Sequence, residues 1–297
     1  MMDFRNSFHP YAMVTIIFWS LTYVLTRMTL QHFSAFSLGF LRYFLASCTL
    51  IFVASIIKIA LPCKKDTLWF LASGGIGFFF YMIAFNQGQA AVSSATASVV
   101  IATVPVITAL LARILFRESL QTIQWIAIFV EFSGVAVLAL MEGTLSVNAG
   151  LLWLLAAALG LSVYNLLQRH LTKTYTGLQT ATYSIYAGTL MLAMFAPEAA
   201  REMVQAPPMQ YCYLAILGIG SSAIAYVAWT MAFAKAKQTS QVSNYMFVTP
   251  FLASLFGFLL AEEVPDRATL VGGALILAGM AMFNFGGRLG CLIRQKC

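Results

Sequence analysis

Charged residues make up only 9% of this 297-residue chain, against 61% hydrophobic ones. Water-soluble domains carry roughly 25% charge, so this sequence cannot dress a surface that faces water on all sides. The bilayer is the solvent that remains. Histidine is scarce as well, and His9, His32 and His170 all fall near the ends of apolar runs. There is no H-E-x-x-H pair, and Ser221–Ser222 in "GIGSSA" has no base beside it in sequence, so hydrolysis within the membrane lacks its chemistry. The five cysteines (Cys48, Cys63, Cys212, Cys291 and Cys297) are odd in number and show no metal-ligand spacing. Cys48 and Cys212 are expected as small buried hydrophobes and the other three in reducing cytoplasm. No cofactor or metal is implied. The net charge of +7 is spread singly with no basic stripe, which excludes nucleic acid as a partner. No charged ring or filter marks a channel. A short apolar stretch with an A-x-A site is also missing, so the first apolar run is expected to span the membrane and not to be a cleaved leader.

What the sequence does have is apolar runs, each near the about 20 residues a spanning helix needs. Ten are predicted, at 11–31, 34–57, 67–87, 91–116, 122–141, 149–171, 177–196, 209–234, 239–261 and 267–287. With the N-terminus in the cytoplasm, 13 of the 17 Lys and Arg residues fall in cytoplasmic segments. That asymmetry sets the orientation and places both termini in the cytoplasm.

Two stretches share an outline. "VPVITALLARILFRE" and "TPFLASLFGFLLAEE" align Pro105 with Pro250 and Glu118 with Glu263 at an offset of 145 residues. The same offset pairs Gly75 with Gly220, Tyr81 with Tyr226, Ser98 with Ser243 and Gly134 with Gly279. Five spans per copy is an odd number, so the second copy enters the membrane upside down. The chain thus divides into a five-helix repeat at 1–145 and an inverted one at 146–297, the latter with a short basic tail. Many transporters build a midplane site between such repeats. Pro105 and Pro250 lie mid-span, where each frees a carbonyl one turn back, and both are candidates for gating.

Arg42 and Glu131 are the deepest ionisable residues, roughly 12–14 Å into the hydrocarbon at a rise of about 1.5 Å per residue. A charge there costs at least about 2.5–3.5 kcal/mol unless it is paired or wetted. Arg42 is either a counter-charge for a substrate carboxylate or phosphate, or it snorkels to the outer interface or ties helices in a salt bridge. Glu131 is either its structural partner, a dimer contact or a proton-coupling carboxylate. Arg27, near a span end, reads as snorkelling. Trp19 and Tyr23 share a face of the first span, and Tyr226 and Trp229 share one of the eighth. With Tyr81, Asn86, Ser98, Tyr164, Asn165, Ser243 and Asn244 they predict a substrate-binding cavity with aromatic walls and few full charges. Such a cavity suits a zwitterion or an amphipathic organic molecule.

"ASVVIATVPVITALLARILFRESL" with "WIAIFVEFSGVAVLAL", and "SQVSNYMFVTPFLASLFGFLLAEEV" with "GGALILAGMAM", resemble the EamA-type families of the drug/metabolite transporter superfamily. "FWSLTYVLTRMTL" with "LGFLRYFLAS" is similar to the opening pair of spans in that family. The resemblance implies an all-α integral membrane protein of ten transmembrane helices, arranged as two inverted repeats around a central cavity. It also implies export or exchange of small metabolites across the cytoplasmic membrane. Glu131 departs from that pattern, which runs through apolar residues and glycine in the fifth span, and the peripheral place of the fifth and tenth helices in the family speaks against a catalytic-style role for it. The expected partners are a small-molecule substrate and the lipid bilayer, with no obligate protein partner. An intramembrane enzyme or a channel-like facilitator is the alternative.

Overall fold

The computed structural model describes residues 7–116, 120–140, 149–235 and 244–294. Among them the chain is helical, with no strand. The helices α1 (His9–Thr29) and α2 (Ala35–Ile57) follow the first two predicted runs. Pro10 sits in the first turn of α1, where its missing N–H costs nothing. The Ser34 hydroxyl accepts from the Ser37 N–H and starts α2, and Lys58 closes α2 in the left-handed region at φ 56°.

The third run is continuous but not uniform. α3 (Thr67–Gly74) widens into a π-helical segment, Gly75–Phe80, before α4 (Tyr81–Ala91). The fourth run is broken: α5 (Ser94–Ile101) ends in a turn at Ala102 and Thr103, and α6 (Val104–Phe116) starts afresh with Pro105 as its second residue. Ser93 caps α5 through the Thr96 N–H. The proline expected mid-helix therefore lies in the first turn of a new helix, where its fixed φ fits and its missing donor leaves no unpaired group of its own. After α7 (Thr122–Leu140), α8 (Ala149–Leu171) and α9 (Gly177–Leu192), the loop expected before the eighth run is itself a short helix, α10 (Ala196–Gln205). Its Glu202 accepts from the Ser34 N–H at the start of α2.

The eighth run repeats the pattern of the third. α11 (Pro208–Ala215) widens into a π-helical segment, Ile216–Ile224, and continues as α12 (Ala225–Lys235). The ninth repeats the fourth, with a 3-10 turn at Asn244–Val248 giving way to α13 (Thr249–Ala261), where Pro250 again occupies the first turn. The last helix is α14 (Arg267–Arg294). Shifted by 145 residues, the first π segment falls on 220–225 and overlaps the second, and α6 falls on 249–261, the span of α13. Among the described residues six helical runs are long and apolar enough to cross a membrane, and Thr122–Val137, Thr249–Ala261 and Arg267–Phe283 are shorter apolar helices.

Glycine sets the closest approaches. A Cβ on Gly134 would lie 2.6 Å from the Gly272 carbonyl oxygen and 2.9 Å from the Ile276 nitrogen. A Cβ on Gly279 would lie 2.8 Å from both the Ala127 carbonyl oxygen and the Glu131 nitrogen. The rising number on α7 meets the falling number on α14, so the two helices run antiparallel. At the offset of 145 residues, each of these contacts maps onto the other. Cys48 and Cys212, expected inside, are instead exposed on the outer faces of their helices, where a sulfhydryl is tolerated by lipid. Beyond the helix ends, the Tyr175 hydroxyl donates to Asp66 Oδ2 at 2.6 Å and accepts from the Cys63 N–H at 3.0 Å. The hydrogen bond to the Asp66 carboxylate holds its proton, pushing its pKa to about 12, so it ties these two connections as a donor throughout the physiological range.

Candidate functional site

The second π-helical segment positions the buried arginine. In that wider turn the Ser222 hydroxyl donates to the Leu217 carbonyl, five residues back, at 2.9 Å. Its oxygen then accepts from Arg42 Nε at 2.8 Å. Arg42 is 5% exposed, a depth at which a charge needs partners. Ser222 supplies one, and the Tyr43 ring lies 5.9 Å from the guanidinium carbon. Tyr23, Tyr81 and Tyr226 also lie within electrostatic reach of this cation. The π segment is held against α1 by carbonyl groups that accept from the side chains of α1: Trp19 Nε1 donates to the Ser221 carbonyl at 3.2 Å and Thr15 to the Ala225 carbonyl at 3.0 Å. Such bulges recur at functional sites because they turn backbone and side-chain groups out of the regular ladder.

Aromatic rings surround the arginine. Trp19 meets Tyr226 with ring centres 5.6 Å apart and Trp229 at 5.0 Å. Phe78, fully buried in the first π segment, packs on Tyr43 at 5.2 Å, Tyr164 at 5.0 Å and Tyr226 at 5.9 Å. The Tyr43 and Tyr226 side chains also lie within interaction range of each other. Tyr23 and Tyr81 both pack on Phe85, each at 5.6 Å. Five of the expected residues, Trp19, Arg42, Tyr164, Tyr226 and Trp229, thus share one cluster, with Tyr23 and Tyr81 beside it.

Others have different duties. Asn86 is fully buried, donates to the Ala35 carbonyl at 2.8 Å and leaves its own carbonyl oxygen without a partner among the described residues. Ser98 spends its hydroxyl on the Ala95 carbonyl at 2.7 Å, within its own helix. Asn165 is exposed and reaches Thr108 at 3.4 Å. Ser243 and the Asn244 side chain lie outside the described residues, as does Glu118. Sequence reasoning missed Tyr43, Phe78 and Ser222. The proximity of Tyr43 to Arg42 in sequence was a usable signal for the first, whereas the π turns that bring the other two inward have no residue signature.

The salt bridge weighed for Arg42 and Glu131 does not form. Glu131 is fully buried in the α7–α14 seam against Gly279, and both its carboxyl oxygens lack a partner among the described residues. Arg27, expected to snorkel, pairs instead with Glu263 at 3.3 Å and donates to the Val92 carbonyl at 3.0 Å. A cavity of about 340 Å³ opens between α1, α2 and the eighth run, lined by Tyr11, Thr49, Val53, Ala223, Val227 and Met231 among others. It holds no charged group. α9, the second helix of the second copy, carries no basic residue between Gly177 and Leu192, so it has no counterpart of Arg42.

The sequence matches the EamA-like transporter family twice, over residues 7–140 and again over 148–285. The chain belongs to this family. It is 30% identical over 271 residues to a probable terminal-alkyne amino-acid exporter of Streptantibioticus cattleyicolor, covering 91% of each chain. It is 23% identical to an S-adenosylmethionine uptake transporter of Rickettsia prowazekii, covering 89% of this chain and 88% of that one. A solved crystal structure matches it with a TM-score of 0.63 at 19% identity, covering 93% of this chain and 96% of the other, which establishes the likeness of fold alone. The protein is a multi-pass membrane member of a transporter family, and its substrate is a small molecule.

Proposed function

We propose that this protein is a secondary transporter moving a small zwitterionic organic metabolite, of amino-acid type, across the cytoplasmic membrane by alternating access, as an exporter or exchanger. The observation that carries the reading is Arg42, buried and held by Ser222 within a ring of tyrosines and tryptophans. The guanidinium meets the carboxylate of the solute, and its planar fork suits that group. The faces of Trp19, Tyr226 and Trp229 take the ammonium end by cation–π attraction, worth about 2 kcal/mol when desolvated. A relative named as an amino-acid exporter supports this class of cargo.

The moving parts are ten transmembrane helices in two inverted halves, 1–145 and 146–297, with both termini in the cytoplasm. The recurrence of the π segments and broken helices, and the interchanging contacts of Gly134 and Gly279, support this arrangement. Pro105 and Pro250 start the second pieces of the broken helices, and there the halves flex. Glu131, alone in its seam, is the proton-coupling candidate.

Counterflow in proteoliposomes tests the cargo. Vesicles loaded with a panel of unlabelled L-amino acids should draw in the labelled form of those the protein carries, and their methyl esters, which lack the carboxylate, should fail to exchange. Exchange of ester and acid at equal rates overturns the role of Arg42. Accumulation of a cleaved or conjugated product with no solute moving would favour the enzyme reading.

A further inference from the structure

Glu263 closes the motif that first drew attention to the second copy, and the function described above does not use it. It follows Glu262, the left-handed residue that ends α13 at φ 53°, and its own N–H donates to the Gly257 carbonyl at 3.0 Å. Its carboxylate leaves α13 altogether. Oε2 accepts from the Ser94 N–H at 2.9 Å and Oε1 from the Ser94 hydroxyl at 3.2 Å. Ser94 is the first residue of α5, so a carboxylate from the second copy caps a helix of the first, where the orphan N–H groups and the helix dipole favour a negative charge. Oε1 also meets Arg27 Nε at 3.3 Å, and Arg27 Nη1 reaches the Val92 carbonyl at 3.0 Å, just before α5. Three chain segments, the end of α1, the start of α5 and the end of α13, converge on one carboxylate.

These segments meet at the end of the bundle where α1 finishes, beside a cavity of about 250 Å³ lined by Arg27, Leu30, Gln31 and Ala90. α5 and α13 adjoin the turns at Ala102–Thr103 and Asn244–Val248, where the helical ladder is interrupted. A rigid scaffold contact has no need to be built from a half-exposed arginine, 40% accessible, whereas a contact that must part and re-form does.

We infer that Arg27, Glu263 and the N-terminus of α5 form a latch that shuts the outer mouth and must part for this end to open. The inference rests on the alternating-access reading given above. Alternating access needs each mouth to be held shut in turn by contacts that the opposite state lacks.

Spin labels at Gln31→Cys and Val264→Cys, both exposed in the wild type, report the width of this mouth by pulsed electron–electron resonance in a background whose five native cysteines are serine. Arg27→Gln leaves the cap on Ser94 intact and removes the ion pair together with the Nη1 hydrogen bond to the Val92 carbonyl. It should raise the wide-mouth population about two- to fivefold, the factor that a partly exposed pair is worth. Glu263→Gln removes the ion pair and also strips the cap of its charge, leaving one acceptor oxygen for Ser94, and should raise it further. Unchanged distances in Arg27→Gln overturn the latch, as does a Glu263→Gln protein that loses thermal stability without widening. The measurement needs no substrate. Widening in both variants of a protein that moves no solute would leave the latch standing and remove the transport reading instead.

Discussion

Lysine at position 42 keeps the charge and discards the geometry, which makes Arg42→Lys the sharpest probe of the site. The wild-type guanidinium gives Nε to Ser222 at 2.8 Å, and this contact aims the remaining fork at the ring of aromatics. An ammonium cannot hold Ser222 and present two parallel donors at once. The loss is one charge-assisted hydrogen bond to the solute carboxylate, about 1.5–3 kcal/mol, or roughly 10- to 150-fold in affinity. The fold should survive, because the Ser222 hydroxyl keeps its bond to the Leu217 carbonyl and does not become an unpaired buried group. Ser222→Ala frees Nε while leaving the fork in place, so its effect should be the smaller of the two. The assay is saturation of counterflow in proteoliposomes, with expression and melting temperature measured alongside. The half-saturating concentration of the acid should rise in the order wild type, Ser222→Ala, Arg42→Lys. An Arg42→Lys protein with half-saturation within twofold of wild type refutes the argument, because the cation would then be serving the bundle and not the solute.

Gly134→Ala and Gly279→Ala should each destabilise by about 1–3 kcal/mol, as overpacking does, and by similar amounts, because each new Cβ meets the same two kinds of backbone atom; thermal unfolding in detergent checks this, and unequal losses would contradict the matched packing. Pro105→Ala and Pro250→Ala should slow turnover and shift accessibility of a cavity cysteine to an impermeant thiol reagent in opposite directions, whereas unchanged labelling in both would reduce the prolines to scaffold. Glu131→Gln should abolish the response of solute flux to an imposed pH gradient while leaving counterflow at equal pH, and a retained response removes this residue from coupling.

How far the sequence could be read depends on the range over which each interaction acts. Pro105 and Pro250 marked the two broken helices because proline acts on its own turn, although they begin new helical pieces and do not bend old ones. The π segments were invisible, since Gly75 and Gly220 flag close packing and not an extra residue per turn. Arg42 and Glu131 were recognised as costly in lipid, but the pairing of one with the other was a guess between two charges. The actual partner, Ser222, is 180 residues away and uncharged. Arg27 was misread for the same reason, as its carboxylate comes from the far end of the chain.

That α9 carries no counterpart of Arg42 has an electrical consequence. A substrate that is neutral overall leaves this one buried charge uncompensated in every state of the cycle. If the half that carries Arg42 rocks within the membrane field, each reorientation displaces that charge across part of the potential. A full crossing is worth about 2.3 kcal/mol per 100 mV. An arginine in each half would cancel by symmetry, but a single one makes the inward and outward swings unequal in rate under a potential. The membrane voltage would then shift the balance between inward- and outward-facing states, and with it the turnover rate, of a carrier whose cargo has no net charge.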